Sequence, residues 1–209
     1  MGREDFARST RSLCRRDPAI ARLVRATGPC TLGGRPADSN FGSLVRAIMY
    51  QQLAGRAAAA IHARYLGLFD GRGHTPEAVL ALSDTQLRSA GLSNAKVASV
   101  RDLATKATDG TINLRSLARL PDDEIVARLS AVRGIGRWTA EMFLIFQLGR
   151  PDVWPVDDLG VRNGFALAHG LAAAPTPRQL EAEGERYRPY RTTAAWYCWR
   201  AVHLSRGQV

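Results

Sequence analysis

Apolar residues recur along most of the chain every three or four positions, the spacing that places them on one face of a helix. The alternation of apolar and polar residues that is typical of strands is nearly absent. The longest helical run extends from Phe41 to Ile61 and predicts one long core helix. The pattern as a whole therefore predicts an all-α protein.

Capping residues divide the rest of the chain into shorter helices. Asp17-Pro18 precedes an apolar face and Gly28 follows it, the order expected for an N-cap, a first-turn proline and a C-terminal glycine. Ser83 and Gln86 have the spacing of a capping box. Further helices are predicted after Thr75-Pro76, Asp157 and Thr176-Pro177, from Val97 to about Gly110, from Ile125 to Val132 and from roughly Thr192.

The charge of the chain suggests a class of partner. Among 209 residues, 29 are lysine or arginine and 19 are aspartate or glutamate, which gives a net charge of +10. Such a charge favours nucleic acid as a partner, because cations that neutralise phosphates release condensed counterions. A solvated basic surface would explain the same charge.

Cysteine spacing and hydropathy exclude several other classes. Cys14, Cys30 and Cys198 are widely spaced and include no C-x-x-C pair, so neither a zinc site nor a disulfide framework is expected. The first 25 residues lack the apolar stretch of a signal peptide, and no later run is long enough to span a membrane. We therefore expect a cytoplasmic protein that does not contact membranes.

The string Gly134-Ile135-Gly136-Arg137-Trp138-Thr139-Ala140 follows an apolar helix and starts another. Its two glycines allow a tight turn, and the next helix begins with outward-pointing amides and the positive end of its dipole. Such a helix start binds phosphate through backbone groups without reading base sequence. An ordinary tight turn between two helices is the less specific alternative. DNA-backbone contacts are expected from Gly134, Ile135, Gly136, Arg137 and Thr139.

This string resembles the hairpin of the helix-hairpin-helix (HhH-GPD) DNA glycosylases, and most closely that of the 3-methyladenine DNA glycosylase II branch. The resemblance extends from the segment with Gln51-Gln52-Leu53 through Trp199, and it has no counterpart of the N-terminal sheet domain of some members. It implies one unit, 1–209, built as a two-lobed helical bundle with the active-site cleft between the lobes. The lobes are expected to be about 1–40 with 165–209, and 41–164 with the hairpin at 125–148.

The resemblance implies a base excision repair enzyme that hydrolyses the N-glycosidic bond of alkylated purines. Its partner would be double-stranded DNA, from which 3-methyladenine or 7-methylguanine is flipped out. We expect a monomer in the cytoplasm, associated with the nucleoid if the source is bacterial. The alternatives are a glycosylase for deaminated or oxidised bases and a catalytically silent DNA-binding module.

The resemblance also limits the cofactors and the reaction. Trp138 stands where the endonuclease III branch has a Schiff-base lysine, and no four-cysteine run closes the chain, so an enzyme without strand-nicking activity is expected. No redox, nucleotide or metal cofactor is expected. In the family the hairpin sometimes holds a monovalent cation through main-chain carbonyls, which here would be those of Ser130, Val132 and Gly134.

Asp157-Asp158 precedes a predicted helix and carries the candidate catalytic group. Two acids at a helix start are usually explained by capping and by the helix dipole. The resemblance assigns catalysis to the second of the pair, Asp158, and we assign the helix cap to Asp157. A carboxylate suits this chemistry, because breaking the N-glycosidic bond leaves positive charge on the deoxyribose.

The resemblance also implies a base pocket, since a flipped base must be held between apolar or aromatic faces. It assigns this role to Trp138 and Trp199, with Tyr50, Phe146 and Met142 as further walls. An aromatic ring attracts a cationic base by about 1 kcal/mol. Trp199 also fits the apolar spacing of the terminal helix, so core packing is its alternative role.

The gap left by a flipped nucleotide needs a plug. The resemblance places Leu53 as the wedge and Gln52 as a partner for the orphaned base or the flipped nucleotide. In the alternative interpretation Leu53 lies in the core and Gln52 satisfies a buried backbone group. The sequence does not decide between the two.

Overall fold

The computed structural model describes residues 3–33, 38–53, 55–71 and 73–208, with the backbone alone for 3–5. These residues form helices and no strand, so the all-α prediction is confirmed. None of their helices combines the length and the apolarity that a membrane span requires. The α-helices in chain order are α1 (Arg3–Arg16), α2 (Pro18–Thr27), α3 (Asn40–Tyr50), α4 (Gly55–Gly67), α5 (Pro76–Ala81), α6 (Asp84–Ser89), α7 (Asn94–Thr108), α8 (Asp122–Ser130), α9 (Arg137–Phe146), α10 (Leu159–His169), α11 (Pro177–Gly184) and α12 (Arg191–Ser205).

The capping residues begin helices where the sequence predicts them. The Asp17 carboxylate accepts a hydrogen bond from the Ala19 amide at 2.8 Å and begins α2. Ser83 and Gln86 form the reciprocal capping box of α6. Thr176 begins α11 in the same way. These starts are local, because each cap bonds to an amide two or three residues ahead.

The predicted long helix from Phe41 to Ile61 is wrong, because two helices occupy this segment. Helix α3 ends at Tyr50 and α4 begins at Gly55. Between them Gln52 has a φ of 57°, a left-handed conformation that an α-helix cannot accommodate. The apolar spacing continues across the break, which is why the sequence pattern missed it.

Helix α1 was not predicted from the sequence. Its buried face includes Phe6 and Leu13, but also the small polar residues Ser9 and Thr10. The Ser9 hydroxyl lies 2.9 Å from that of Thr193 on α12. Hydroxyls that pair with one another replace apolar contacts on this face, so the helical period is hidden in the hydropathy pattern.

The chain divides into two compact units, which are described separately. The terminal unit comprises Met1–Arg35 and Leu144–Val209. Residues 144–164 therefore belong with the termini and not, as expected, with the central lobe, since Trp154 lies in the terminal core. The buried residues of this core are Leu13, Ile20, Leu23, Trp154, Val161, Phe165, Leu180, Tyr187, Ala194, Ala195, Tyr197, Cys198 and Ala201.

Close packing of α10 on α12 dominates the terminal unit. At Gly164 a Cβ would lie 1.9 Å from the Cys198 carbonyl oxygen, so the two backbones approach more closely than any larger residue would allow. This contact fixes α10, whose first residue follows Asp158, against the helix that carries Trp199.

The central unit, Pro36–Phe143, is built around α3 and α7. Helix α4 packs on α3, and α5 and α6 pack on α7. Helix α8 contributes Ile125 and Leu129, both fully buried, and leads into the glycine hairpin. The hairpin therefore projects from an anchored helix.

Candidate active site

Asp158 is a buried carboxylate of the terminal unit. Its side chain is 9% exposed, and its Oδ1 accepts hydrogen bonds from the Val161 amide at 2.8 Å and from the Trp199 indole N–H at 2.9 Å. One donor comes from the first turn of α10 and the other from α12. The carboxylate is thus held from two directions in a fixed orientation.

The assignment of the helix cap to Asp157 is wrong, because Asp158 is the N-cap of α10. The Asp158 amide donates to the Pro155 carbonyl at 3.0 Å, which closes a turn just before the helix. Asp158 itself has extended backbone angles, so its side chain reaches back over the first free amides. Asp157 is an exposed residue of the preceding turn. The residue expected to act in catalysis therefore also caps the helix.

Trp199 contacts the candidate catalytic group directly. Besides its hydrogen bond to Asp158, its ring stacks on Phe146 with centroids 5.8 Å apart and planes 23° from parallel. A Cβ at Gly160 would lie 2.9 Å from the Trp199 Cδ1 and 3.0 Å from the Asp158 Oδ1, so a side chain there would displace both groups. Trp199 is half-buried against the core, and Phe146 is 57% exposed.

The hairpin has the geometry that its glycines predict. Gly134 has a φ of 78°, and a Cβ there would lie 2.4 Å from the Ser99 hydroxyl on α7. Ile135, between the two glycines, is buried. The first backbone bond of α9 runs from the Ala140 amide to the Gly136 carbonyl, so the amides before Ala140 lie at the open helix start. This start can accept an anion.

Gln51 is a residue of the hairpin surroundings that sequence reasoning missed. Its side-chain amide donates to the Gly134 carbonyl at 2.9 Å and lies 3.3 Å from the Thr139 hydroxyl. The turn at residues 51–53 is thereby joined to the hairpin across 83 positions of sequence. Gln52 is exposed and Leu53 is 38% exposed, so Leu53 is not a core residue.

Three of the expected pocket residues belong to the central unit. Trp138 is 44% exposed in the first turn of α9, and Met142, one turn later, is half-buried. Tyr50 is half-buried, with the Arg46 guanidinium 5.0 Å from its ring centroid and the His62 ring edge-on at 6.3 Å. Exposed or half-exposed aromatic and thioether groups of this kind can contact a planar ligand.

Asp17 and two cysteines have pKa values that differ from the usual ones. Burial alone would raise the pKa of Asp17, but hydrogen bonds from Tyr187 and His169 outweigh it and lower that pKa. Burial raises the pKa of the Cys30 thiol to about 11 and that of Cys198 further, so neither forms a reactive thiolate at neutral pH. Within the described ranges no cluster of His, Cys, Asp and Glu could hold a metal ion.

The amino-acid sequence of the chain matches a known protein family. Residues 45–189 match the model of the HhH-GPD superfamily base excision DNA repair proteins. DNA-3-methyladenine glycosylase 1 of Schizosaccharomyces pombe is 39% identical over 167 residues, which cover 79% of this chain and 73% of that protein. The alkylbase DNA glycosidase-like protein mag2 of the same yeast is 31% identical, and the match covers 97% of this chain and 96% of that protein.

Solved structures share the fold. The S. pombe 3-methyladenine DNA glycosylase in complex with abasic DNA superposes with a TM-score of 0.80 at 35% identity, over 92% of this chain and 95% of that one. A DNA-3-methyladenine glycosidase from Bacillus halodurans gives a TM-score of 0.85 at 31% identity, over 96% of this chain and 91% of that one. The fold prediction is confirmed by these neighbours.

Proposed function

Since the chain belongs to the HhH-GPD superfamily of base excision DNA repair proteins and is a DNA glycosylase, we propose that it removes alkylated purines, 3-methyladenine and 7-methylguanine, from duplex DNA. The observation that carries this proposal is the Asp158 carboxylate, buried and held by two N–H donors. Relatives named as 3-methyladenine and alkylbase glycosylases support the same substrate class.

Asp158 is the catalytic residue in this proposal. Cleavage of the N-glycosidic bond transfers the bonding electron pair to the departing base and leaves an oxocarbenium-like sugar. A fixed carboxylate near that sugar stabilises the positive charge or accepts a proton from the attacking water. Because Val161 and Trp199 already hold the carboxylate, it needs little reorganisation when the charge develops.

Bases that already carry positive charge suit this site. N3-methyladenine and N7-methylguanine depart as neutral molecules without being protonated first, so the reaction needs no general acid. In the terminal unit Trp199 and Phe146 are the proposed contacts of the base, and in the central unit the same role is proposed for Trp138, Tyr50 and Met142. An electron-rich ring favours a cationic base over its neutral counterpart by about 1 kcal/mol, and by more where water is excluded.

We propose that the enzyme leaves an abasic site without cutting the strand. A strand-cutting glycosylase of this superfamily uses an amine nucleophile, and this chain has Trp138 at the corresponding position. Its two lysines are engaged elsewhere: the Lys96 ammonium donates to the Met49 and Gln51 carbonyls, and that of Lys106 donates to the Asp102 carboxylate. Neither lysine amine is available as a nucleophile in this arrangement.

In this proposal a single copy of the chain binds double-stranded DNA. It does so in the compartment that contains the genome. The backbone amides of Gly136, Arg137 and Thr139 at the start of α9 would bind phosphate. The exposed turn at residues 51–53, with Leu53 and Gln52, would fill the gap left by the flipped nucleotide. The charge of +10 supports a polyanionic partner.

A monovalent cation is compatible with the hairpin. The carbonyls of Val132 and Gly134 accept hydrogen bonds from the Ile135 amide and the Gln51 side chain. Each carbonyl oxygen has a second lone pair, so together with the Ser130 carbonyl they could hold such an ion. The ion would add positive charge where phosphate is bound.

The test is release of free bases from methylated duplex DNA by wild type, Asp158→Asn and Asp157→Asn. Asparagine caps a helix about as well as aspartate, so Asp158→Asn should stay folded while it loses the charge. We expect no release by Asp158→Asn, near-normal release by Asp157→Asn and retained binding to an abasic-site analogue by both. Absence of release by wild type would indicate a DNA-binding module, and faster release of deaminated or oxidised bases would indicate a different lesion class.

A further inference from the structure

One face of α7 contacts the hairpin. Ser99 and Asp102 are three positions apart and therefore lie on the same face of the helix. The Ser99 hydroxyl lies only 2.4 Å from where a Cβ of residue 134 would be, and the Asp102 carboxylate accepts a hydrogen bond from the Arg133 amide at 2.8 Å. Lys96, three positions before Ser99, continues this face toward the end of α3.

Lys96 binds the end of α3 with its ammonium group. The Nζ donates to the Met49 carbonyl at 2.5 Å and to the Gln51 carbonyl at 2.9 Å. The last carbonyls of a helix lack partners within it and lie at the negative end of its dipole, so a cation there is favourable. Burial lowers the pKa of Lys96, because the ammonium has lost part of its water and depends on these two oxygens.

The backbone that follows these carbonyls is strained. Gln52 has a φ of 57°, a conformation that costs a side-chain-bearing residue free energy and that persists only where neighbouring contacts impose it. The contact next to it is the hydrogen bond from Lys96 to the Gln51 carbonyl. The side chain of Gln51 supplies the second restraint through its bond to the Gly134 carbonyl. Gln51 is thus held by the lysine at one end and by the hairpin at the other.

We propose that Lys96 is a positioning residue for base flipping. By fixing the main chain at Gln51, it sets where Gln52 and Leu53 enter the duplex relative to the hairpin that binds phosphate. This inference rests on the proposed function, in which the turn at residues 51–53 fills the gap in the base stack. Lys96 touches neither the sugar nor the base, so its effect is transmitted through the turn.

The proposal separates two properties of the enzyme. The helix start of α9 binds phosphate through its own backbone, so affinity for undamaged duplex should not depend on Lys96. Filling of the gap requires the turn in its strained conformation, so that step should depend on Lys96. A structural role alone would weaken both properties together with the stability of the fold.

The experiment uses a duplex with a tetrahydrofuran abasic analogue opposite 2-aminopurine, whose fluorescence reports unstacking, together with single-turnover release from methylated DNA. Lys96→Met should bind undamaged duplex as wild type does but lose most of the fluorescence change. It should release bases about 10- to 100-fold more slowly, because misplacement of the turn by about 1 Å is sufficient for such a loss of rate. Lys96→Arg, which retains cationic donors, should recover part of both signals. Arg101→Met is the matched control, because it removes a positive charge from the same helix and Arg101 bonds to the Asp84 carboxylate and the Leu82 carbonyl, not to the turn or the hairpin.

Gln51→Met provides a second variant, since it leaves the main-chain carbonyl for Lys96 and removes the side-chain bonds to the Gly134 carbonyl and the Thr139 hydroxyl. It should also reduce the fluorescence change, and together with Lys96→Arg it decides the matter if Lys96→Met does not fold. A full fluorescence change in Lys96→Met, or an equal loss in Arg101→Met, would overturn the proposal. If wild type releases no methylated base, the proposed function fails, but the abasic duplex still tests the role of Lys96.

Discussion

Trp199 offers a direct test of how the candidate catalytic carboxylate is held. Trp199→Phe removes the indole N–H that donates to the Asp158 Oδ1 at 2.9 Å and keeps an aromatic ring that can stack on Phe146. A hydrogen bond to a charged group contributes about 1.5–3 kcal/mol. Each 1.36 kcal/mol corresponds to a factor of about ten in rate, so the variant should release bases roughly 10- to 100-fold more slowly if that bond holds the carboxylate in its reactive position.

The assay is single-turnover release of each base at saturating enzyme, so that binding does not mask the chemical step. Trp196→Phe is the matched control, because Trp196 lies on the same helix and packs on Tyr197 and Arg200. If Trp199 positions Asp158, the rate should fall by a similar factor for cationic and neutral lesions. A rate within twofold of wild type, or a loss confined to cationic bases, would refute this reasoning and leave Trp199 as a pocket wall only.

The remaining predictions concern close contacts and pH. Gly134→Ala should lower the free energy of unfolding by about 1–3 kcal/mol and weaken binding to undamaged duplex, because its φ is positive and the Ser99 hydroxyl occupies the space of the Cβ; a thermal melt equal to that of wild type would contradict this. Gly160→Ala should displace Trp199, which slows base release and lowers the free energy of unfolding by about 1–3 kcal/mol. Single-turnover kinetics measures the first effect and calorimetry the second. Burial opposes the charge of Asp17, but its hydrogen bonds hold the pKa below the usual range. The ionised Asp17 carboxylate therefore contributes its full stabilisation above about pH 4 and loses it as the pH falls through the folded-state pKa. Urea unfolding as a function of pH should show this loss for wild type and not for Asp17→Asn.

Local signals account for the part of the fold that the sequence predicts. Asp17 and Ser83 each bond to an amide two or three residues ahead, so the start of their helices is encoded within a few positions. The hairpin is similar, since the positive φ of Gly134 and the burial of Ile135 follow from a short string. Residue type and near neighbours are sufficient in these cases.

Contacts between distant positions account for what was missed. At the break after Tyr50, Gln51 and Lys96 bond to partners 83 and 45 to 47 positions away. Hydropathy continues unchanged through this break, so spacing alone predicts one helix. Gly160 is likewise an ordinary helical glycine in the sequence and becomes informative only when the Trp199 ring is found against it.

The pair Asp157-Asp158 shows why the sequence places the helix cap on the wrong residue. Sequence reasoning separated capping from catalysis and gave one role to each residue, whereas the structure gives the cap to Asp158. A cap is a suitable place for a reactive carboxylate, because the amide that it satisfies belongs to a helix packed in the core and cannot move independently. The same bond that begins α10 thus orients the oxygen atoms that the proposed chemistry requires. Fold and reactivity can still be separated experimentally, since asparagine keeps the cap and removes only the charge.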